Sequence, residues 1–294
     1  IGRRPPRIGE HTQEIVDEIS RVPEKGRLTK TKKTTLPLEG VKILDFMWAL
    51  AGPGATRTLA DMGATVIRVE SSSRLDVIRT IRPFIDSDES PEKSALFHNT
   101  NAGKNLLSLD LTKPEGKAVA LDLVRWCDVV TESFSPKAMK AFGLDYESLL
   151  EVNSDLIMLS TCLFGQTGPL SMFAGYGNLA AAIAGFYTIT GWPDRDPAGP
   201  FGAYTDYIAP RYNAAAILAA LDHRDHTGEG QHIDLAQAES AMHFLTPAIL
   251  DYMANDKVQS RIGNSDPNCA PHGVYPVLGD DAYIAIACET EEQW

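Results

Sequence analysis

From residue 41 to residue 161, short apolar runs alternate with segments whose apolar residues recur every three or four positions. Val41–Phe46, Ala64–Glu70, Asn105–Leu111, Asp128–Ser133 and Leu156–Thr161 read as strands, with Val41–Phe46 of the buried type. Between them, Thr112–Trp126 has a helical period, with Thr112 expected as its N-cap and Pro114 in its first turn. Pro136–Phe142 is a short helix ending at Gly143, and Tyr146–Val152 a further helical turn. Strands alternating with helices predict an α/β fold built on a doubly wound, parallel, Rossmann-like sheet.

Beyond residue 161, Asn178–Gly185 reads as a helix of small residues and Tyr207–Leu221 as a long helix. The stretch HRDHTGEGQ reads as a turn, His232–Leu235 as a short strand, and Ala236 to about Ala254 as a helix. Residues 262–276 form a glycine- and proline-rich loop, Tyr283–Ala287 a strand, and ETEEQW the start of a helix. Ahead of the first strand, residues 1–19 combine a basic extended lead-in with a short amphipathic helix whose Ile15, Val16 and Ile19 share one face. Residues 20–36 are lysine-rich and without apolar period, which predicts a linker.

Composition narrows the function. The 294 residues are 44% hydrophobic and 22% charged, as in a globular protein with a full core. A formal net charge of −12 argues against a nucleic-acid or membrane-surface binder, and no apolar run is long enough to span a bilayer. Cys127, Cys162, Cys269 and Cys288 are scattered, as expected of reduced thiols in a cytoplasmic protein. His223 and His226 lie in a polar turn without metal-ligand spacing, so no metal is expected.

Two stretches carry candidate chemistry. After the first strand, AGPGATRTLADMG places glycines where a helix begins, a ready site for an anion. Glu70 closing the next strand mimics a dinucleotide fingerprint, but Arg57 stands where its third glycine belongs, which argues against a nicotinamide cofactor. Ser71–Phe84 then brings Arg74, Arg79 and Arg82 to a strand's carboxyl end, where open α/β sheets bind ligands. The second stretch, GFYTITGWPDRDPAGPFGAYTD over residues 185–206, holds Asp194, Asp196 and Asp206 in a loop stiffened by proline and glycine.

Four separated motifs in order, LEGVKILDFMWALAGPGATRTLADMGATVIRVE, GKNLLSLDLTKPEGKAVALDLVRWCDVVTESFSP, GLDYESLLEVNSDLIMLSTCLFGQTGP and HRDHTGEGQHIDLAQAES, resemble the class III CoA-transferases over about residues 37–294. The resemblance implies a doubly wound α/β domain plus a second, smaller domain, and two subunits interlocked like chain links. It implies a cytoplasmic enzyme that moves CoA from an acyl-CoA thioester to a small carboxylic acid through an aspartyl mixed anhydride and an aspartyl-CoA thioester. The CoA thioester is a co-substrate, with no tightly bound cofactor. PRIGEHTQEIVDEI resembles the family's C-terminal tail. The expected organisation is therefore an interior piece of a tandem protein: a preceding module's tail over 1–19, a linker over 20–36, the CoA-binding domain over 37–226 and the start of the smaller domain over 227–294. The partner is a second subunit, or a second module in an intramolecular pseudo-dimer.

Carried over residue by residue, the family's TG-x-x-Asp pattern matches Thr190 to Asp194 and makes Asp194 the expected nucleophile, with Asp196 and then Asp206 behind it. Ala49, Leu50 and Ala51 would line the pantetheine and thioester end, Leu50 standing where formyl-CoA transferase has a glutamine. Arg74 or Arg79 would meet phosphate, with Lys137 and Lys140 nearby. Leu109, Ser133 and Phe134 would pack the adenine, and Phe164 opens a turn-rich loop at a strand's carboxyl end. His272 falls in the loop over the active site, as an acyl-group or carboxylate partner or as a structural residue. Trp192, Phe201 and Tyr204 hint at an apolar acyl pocket. Two other readings are an inactive half kept for assembly, and an α-methylacyl-CoA racemase. The racemase needs two bases, and Gly177 stands where it would place its Asp.

Overall fold

Six parallel strands in the order β3-β2-β1-β4-β5-β6 form the frame of the molecule in a computed structural model that describes residues 4–20 and 36–294. The strands are β1 (Lys42–Asp45), β2 (Thr65–Glu70), β3 (Asn105–Ser108), β4 (Val129–Glu132), β5 (Ile157–Cys162) and β6 (His232–Ala236). The helices are α1 (Thr12–Ile19), α2 (Ala51–Asp61), α3 (Ala95–Asn101), α4 (Pro114–Trp126), α5 (Ala138–Phe142), α6 (Tyr146–Leu150), α7 (Gly177–Ala184), α8 (Phe186–Ile189), α9 (Tyr204–Thr227), α10 (Gln237–Met242) and α11 (Thr246–Asn255). A separate antiparallel pair, β7 (His272–Pro276) and β8 (Tyr283–Ala287), lies near the C-terminal end. This is the doubly wound α/β sheet the alternation predicts.

Strand order fixes where a ligand can bind. The sheet winds one way from β1 to β3 and the other from β4 to β6, so the connections leaving the paired strands β1 and β4 part at their carboxyl ends and leave a crevice. The strands are apolar because helices cover both faces. Leu44, Ile67, Val130 and Met158 pack with α4 on one side. Ile43, Val66, Val129 and Leu159 pack with α2 and α9 on the other.

Several boundaries differ from expectation. Thr112 does not cap α4: its hydroxyl and N–H both bind Asp110, and Lys113 takes the N-cap position. The segment read as a turn after Leu221 continues α9 to Thr227, where Gly228 in a left-handed conformation ends it. β7 was hidden in the glycine- and proline-rich loop. Because β6 joins β5 in register, the main sheet runs past residue 227. The expected linker lies almost wholly outside the described residues. Residues 4–20 pack on this α/β unit: the His11 N–H binds the Leu106 carbonyl at 3.1 Å, and the Leu106 N–H donates to His11 Nδ1 at 3.1 Å. Ile15 is buried in the same core. No helix among the described residues is long and apolar enough to cross a membrane.

Candidate functional site

The crevice at the carboxyl ends of β1, β4 and β5 holds a cavity of about 250 Å³. Trp48, Ala49, Ala51 and Gly52 form one wall, and Ser133 and Phe134 after β4 form the next. Cys162 at the end of β5 and Met172, Phe173 and Tyr176 beyond it line the cavity, as do Asp206 and Gln237.

Backbone chemistry shapes the first wall. Ala49 has φ of +62°, a left-handed conformation that costs a residue with a Cβ about 1 kcal/mol or more. Its N–H donates to both oxygens of Asp76 at 3.1 Å, which holds the strain. Asp76 also receives Arg68, and Arg68 donates to the Met47 carbonyl at 2.7 Å. Trp48 N–H donates to Ser133 Oγ at 2.8 Å, tying the loops after β1 and β4 together. α2 starts at Ala51, so its free N–H groups open beside the cavity wall.

Beneath this wall lies a wholly buried ionic layer. Arg79 clamps Glu70 through Nε at 2.8 Å and Nη2 at 3.0 Å. Lys104 binds Asp45 at 2.9 Å and the Pro53 carbonyl at 2.9 Å. Burial pushes the Lys104 ammonium down to about 8 while Asp45 pulls it back up. Burial likewise opposes the Asp45 charge, but Lys104 and Arg68 hold its carboxyl below the usual range. Arg79 is therefore spent on Glu70 and presents no exposed surface. Arg74 is exposed, with its guanidinium 5.7 Å from the Trp48 ring, so it stands beside the cavity.

The three aspartates separate. Asp194 and Asp196 are exposed on the loop between α8 and α9, and neither lines the cavity. Asp206 sits in the first turn of α9, is 8% exposed, and faces the cavity. Burial pushes its carboxyl up to about 6, opposed by hydrogen bonds from the Gly177 N–H and from Gln237. The Gly177 N–H lies 3.2 Å from Asp206 Oδ2, so the N-terminus of α7 points at this carboxylate. A Cβ on Gly177 would meet Asp206 N at 2.7 Å and the Ala203 carbonyl oxygen at 2.8 Å, both rigid backbone. Gly177→Ala is therefore expected to lower stability by about 1–3 kcal/mol by forcing α7 and α9 apart. Urea midpoints check this.

The other sequence candidates divide. Ala49, Ala51, Ser133 and Phe134 line the cavity, Phe134 meeting Trp48 edge-on at 5.9 Å. Leu50 turns away and packs on the cluster of Ile78, Phe97 and Leu106. Leu109 packs on the core beside α4. Phe164 stands behind the wall, edge-on to Phe173 at 6.1 Å. Lys140 is exposed on α5. His272 opens β7 with its Nδ1 2.7 Å from the Asn264 carbonyl oxygen and is not on the cavity. Phe201 is fully exposed, Trp192 packs against Gly263, and Tyr204 meets Phe186 at 5.0 Å, so none forms an acyl pocket in this cavity.

Sequence reasoning missed Gln237 and Glu132. Glu132, at the end of β4, accepts the Phe134 N–H at 2.8 Å, and burial pushes it up to about 7. Its position at a strand's carboxyl terminus was the available signal.

A sequence profile described as CoA-transferase family III matches residues 38–294. A succinate–glutarate CoA-transferase of Agrobacterium fabrum is 40% identical over 260 residues, which are 88% of this chain and 64% of that protein. An acetyl-CoA:oxalate CoA-transferase of Acetobacter aceti is 33% identical over 88% of this chain and 65% of that protein. A crystal structure of a CAIB/BAIF family protein from Brucella suis superimposes with a TM-score of 0.79 at 39% identity, covering 87% of this chain and 67% of that one. The chain thus spans a little under two thirds of the length of the two curated relatives.

Proposed function

Because the chain belongs to CoA-transferase family III, we propose that it carries the CoA site and the nucleophile of an enzyme that moves CoA from an acyl-CoA to a carboxylic acid. One observation carries this reading. A desolvated carboxylate, Asp206, shares a cavity with Ala49, Ala51, Ser133 and Phe134, the residues that the resemblance assigns to CoA.

On this reading Asp206, rather than Asp194, is the nucleophile. Its carboxylate oxygen attacks the thioester carbonyl carbon, the C–S bond breaks, and CoA leaves as thiolate from a mixed anhydride. The thiolate then attacks the Asp206 carbonyl carbon, releases the donor acid, and leaves an aspartyl-CoA thioester. The acceptor carboxylate attacks that thioester and the thiolate returns to the new acyl group, restoring Asp206. Burial suits Asp206 to this chemistry: a poorly solvated carboxylate near 6 is more basic and nucleophilic than an exposed one, yet largely ionised at pH 7. The apolar walls of Phe134, Met172 and Phe173 shield the anhydride from water. On this reading Arg74, exposed beside Trp48, is the partner of a CoA phosphate. The expected subunit interlocking and the smaller domain belong to the same reading, with the boundary set after Leu245, where α10 and its following turn end.

The test follows acyl-CoA products by chromatography, offering the full-length protein succinyl-CoA and a panel of mono- and dicarboxylic acids. Formation of a new acyl-CoA with release of succinate supports the reading, and simple hydrolysis alone contradicts it. The pH dependence gives a second test. The working form is the carboxylate, so kcat/KM is expected to fall about tenfold per pH unit below about 6. Glu132 titrates nearby, and Glu132→Gln separates the two groups, because a limb set by Asp206 survives that change.

A further inference from the structure

Gln237 opens α10, is 8% exposed, and faces the cavity beside Asp206. Its orientation follows from its neighbours. An ionised carboxylate only accepts hydrogen bonds, so the Gln237 amide nitrogen must face Asp206 and its oxygen must face away. The Thr205 hydroxyl lies 3.2 Å from Gln237 Oε1 and 3.2 Å from the Gly177 carbonyl oxygen, and can give its one proton to the amide. Thr205 is itself fully buried. A second donor, the Gly177 N–H, meets the carboxylate at 3.2 Å from the start of α7. Gln237 shares the cavity with Asp206, and its side-chain hydrogen bond, with that of Gly177, counters the effect of burial on the carboxyl.

We propose that Gln237 is a catalytic residue of the transfer, donating from its amide to Asp206 both as carboxylate and as the oxyanion formed when the Asp206 carbonyl is attacked, with Thr205 as the positioning residue that fixes the amide. This rests on Asp206 as nucleophile. Asp206 gives up its charge on forming the anhydride. Each later attack on its carbonyl carbon, by thiolate or by the acceptor carboxylate, returns negative charge to its oxygen. A donor already seated on that oxygen needs no reorganisation as the charge develops. No proton moves, since Gln237 keeps both N–H bonds throughout. Cys162 and Tyr176 are the titratable groups that share the cavity wall with Asp206, and burial pushes the Cys162 thiol up to about 11, so it stays neutral during turnover.

Gln237→Met keeps the side chain's length and removes the donor. In the full-length protein it is expected to lower kcat by about 10- to 100-fold while KM for the acyl-CoA changes by less than about threefold. Thr205→Val should act in the same direction and Thr205→Ser should restore turnover, because only the hydroxyl matters. A readout independent of turnover is the ¹³C titration of the Asp206 carboxyl, assigned by difference from Asp206→Asn. It should move to higher pH in Gln237→Met. Wild-type kcat and an unmoved titration in Gln237→Met, with Asp206→Asn inactive, overturn this proposal alone. Full activity in Asp206→Asn overturns the nucleophile and this proposal together. If Gln237→Met does not fold, the Thr205→Val and Thr205→Ser pair decides: equal kcat in both overturns the proposal, and loss in Val with recovery in Ser supports it.

Discussion

Asp206→Asn is expected to lower CoA-transfer turnover by on the order of a thousandfold or more while making the protein more stable at pH 7. An amide cannot form the proposed anhydride, so on the proposed mechanism the chemical step has no substitute nucleophile at that position. The gain in stability follows from the carboxyl's titration. Its folded-state value near 6 lies above the ordinary 3.8, so the folded protein holds the proton more tightly than the unfolded chain. Ionised Asp206 therefore costs stability above about pH 6, and that cost disappears as pH falls toward 4. The difference corresponds to about 1–3 kcal/mol, which Asn would recover at neutral pH. Steady-state kinetics and urea midpoints at pH 7 and pH 4 check both halves. Asp194→Ala, on its exposed loop, should change neither by much.

The second large effect lies beneath the site. Arg68, Arg79 and Lys104 face Asp45, Glu70 and Asp76 with none of the six more than 1% exposed. Charges that far from water persist only as a balanced set, and removing one partner strands another. Arg68→Met is expected to destabilise by about 3–5 kcal/mol, because Asp76 loses its guanidinium and the Met47 carbonyl its donor. By contrast, Arg125→Ala breaks an exposed pair with Asp122 and should cost less than about 0.5 kcal/mol. Equal, small effects in the two variants would show that the layer does not hold the Trp48–Gly52 wall. The layer also explains Ala49, whose left-handed backbone depends on the Asp76 acceptors that Arg68 anchors.

The sheet was legible because its strands are buried on both faces and read as short apolar runs, as Ile43 and Leu44 or Val129 and Val130 show. The hairpin strand at His272–Pro276 was not legible, since exposed residues flanked by glycine and proline carry no apolar period. The site was half legible. Ala49, Ala51, Ser133 and Phe134 follow strand ends, a position visible in one dimension. Asp206 and Asp194 share a loop-like sequence context, and what separates them is the approach of Gly177, which lies 29 residues upstream of Asp206 and pins the carboxylate from another helix. The pairing of Arg79 was illegible for the same reason: among serines and arginines it resembles a solvated residue, and only the fold brings Glu70 to it.

The most direct measurement is covalent trapping. Full-length protein incubated with an acyl-CoA and hydroxylamine, then digested and read by mass spectrometry, should carry a hydroxamate on Asp206 and none in Asp206→Asn. A hydroxamate on Asp194, still formed in Asp206→Asn, would contradict the account.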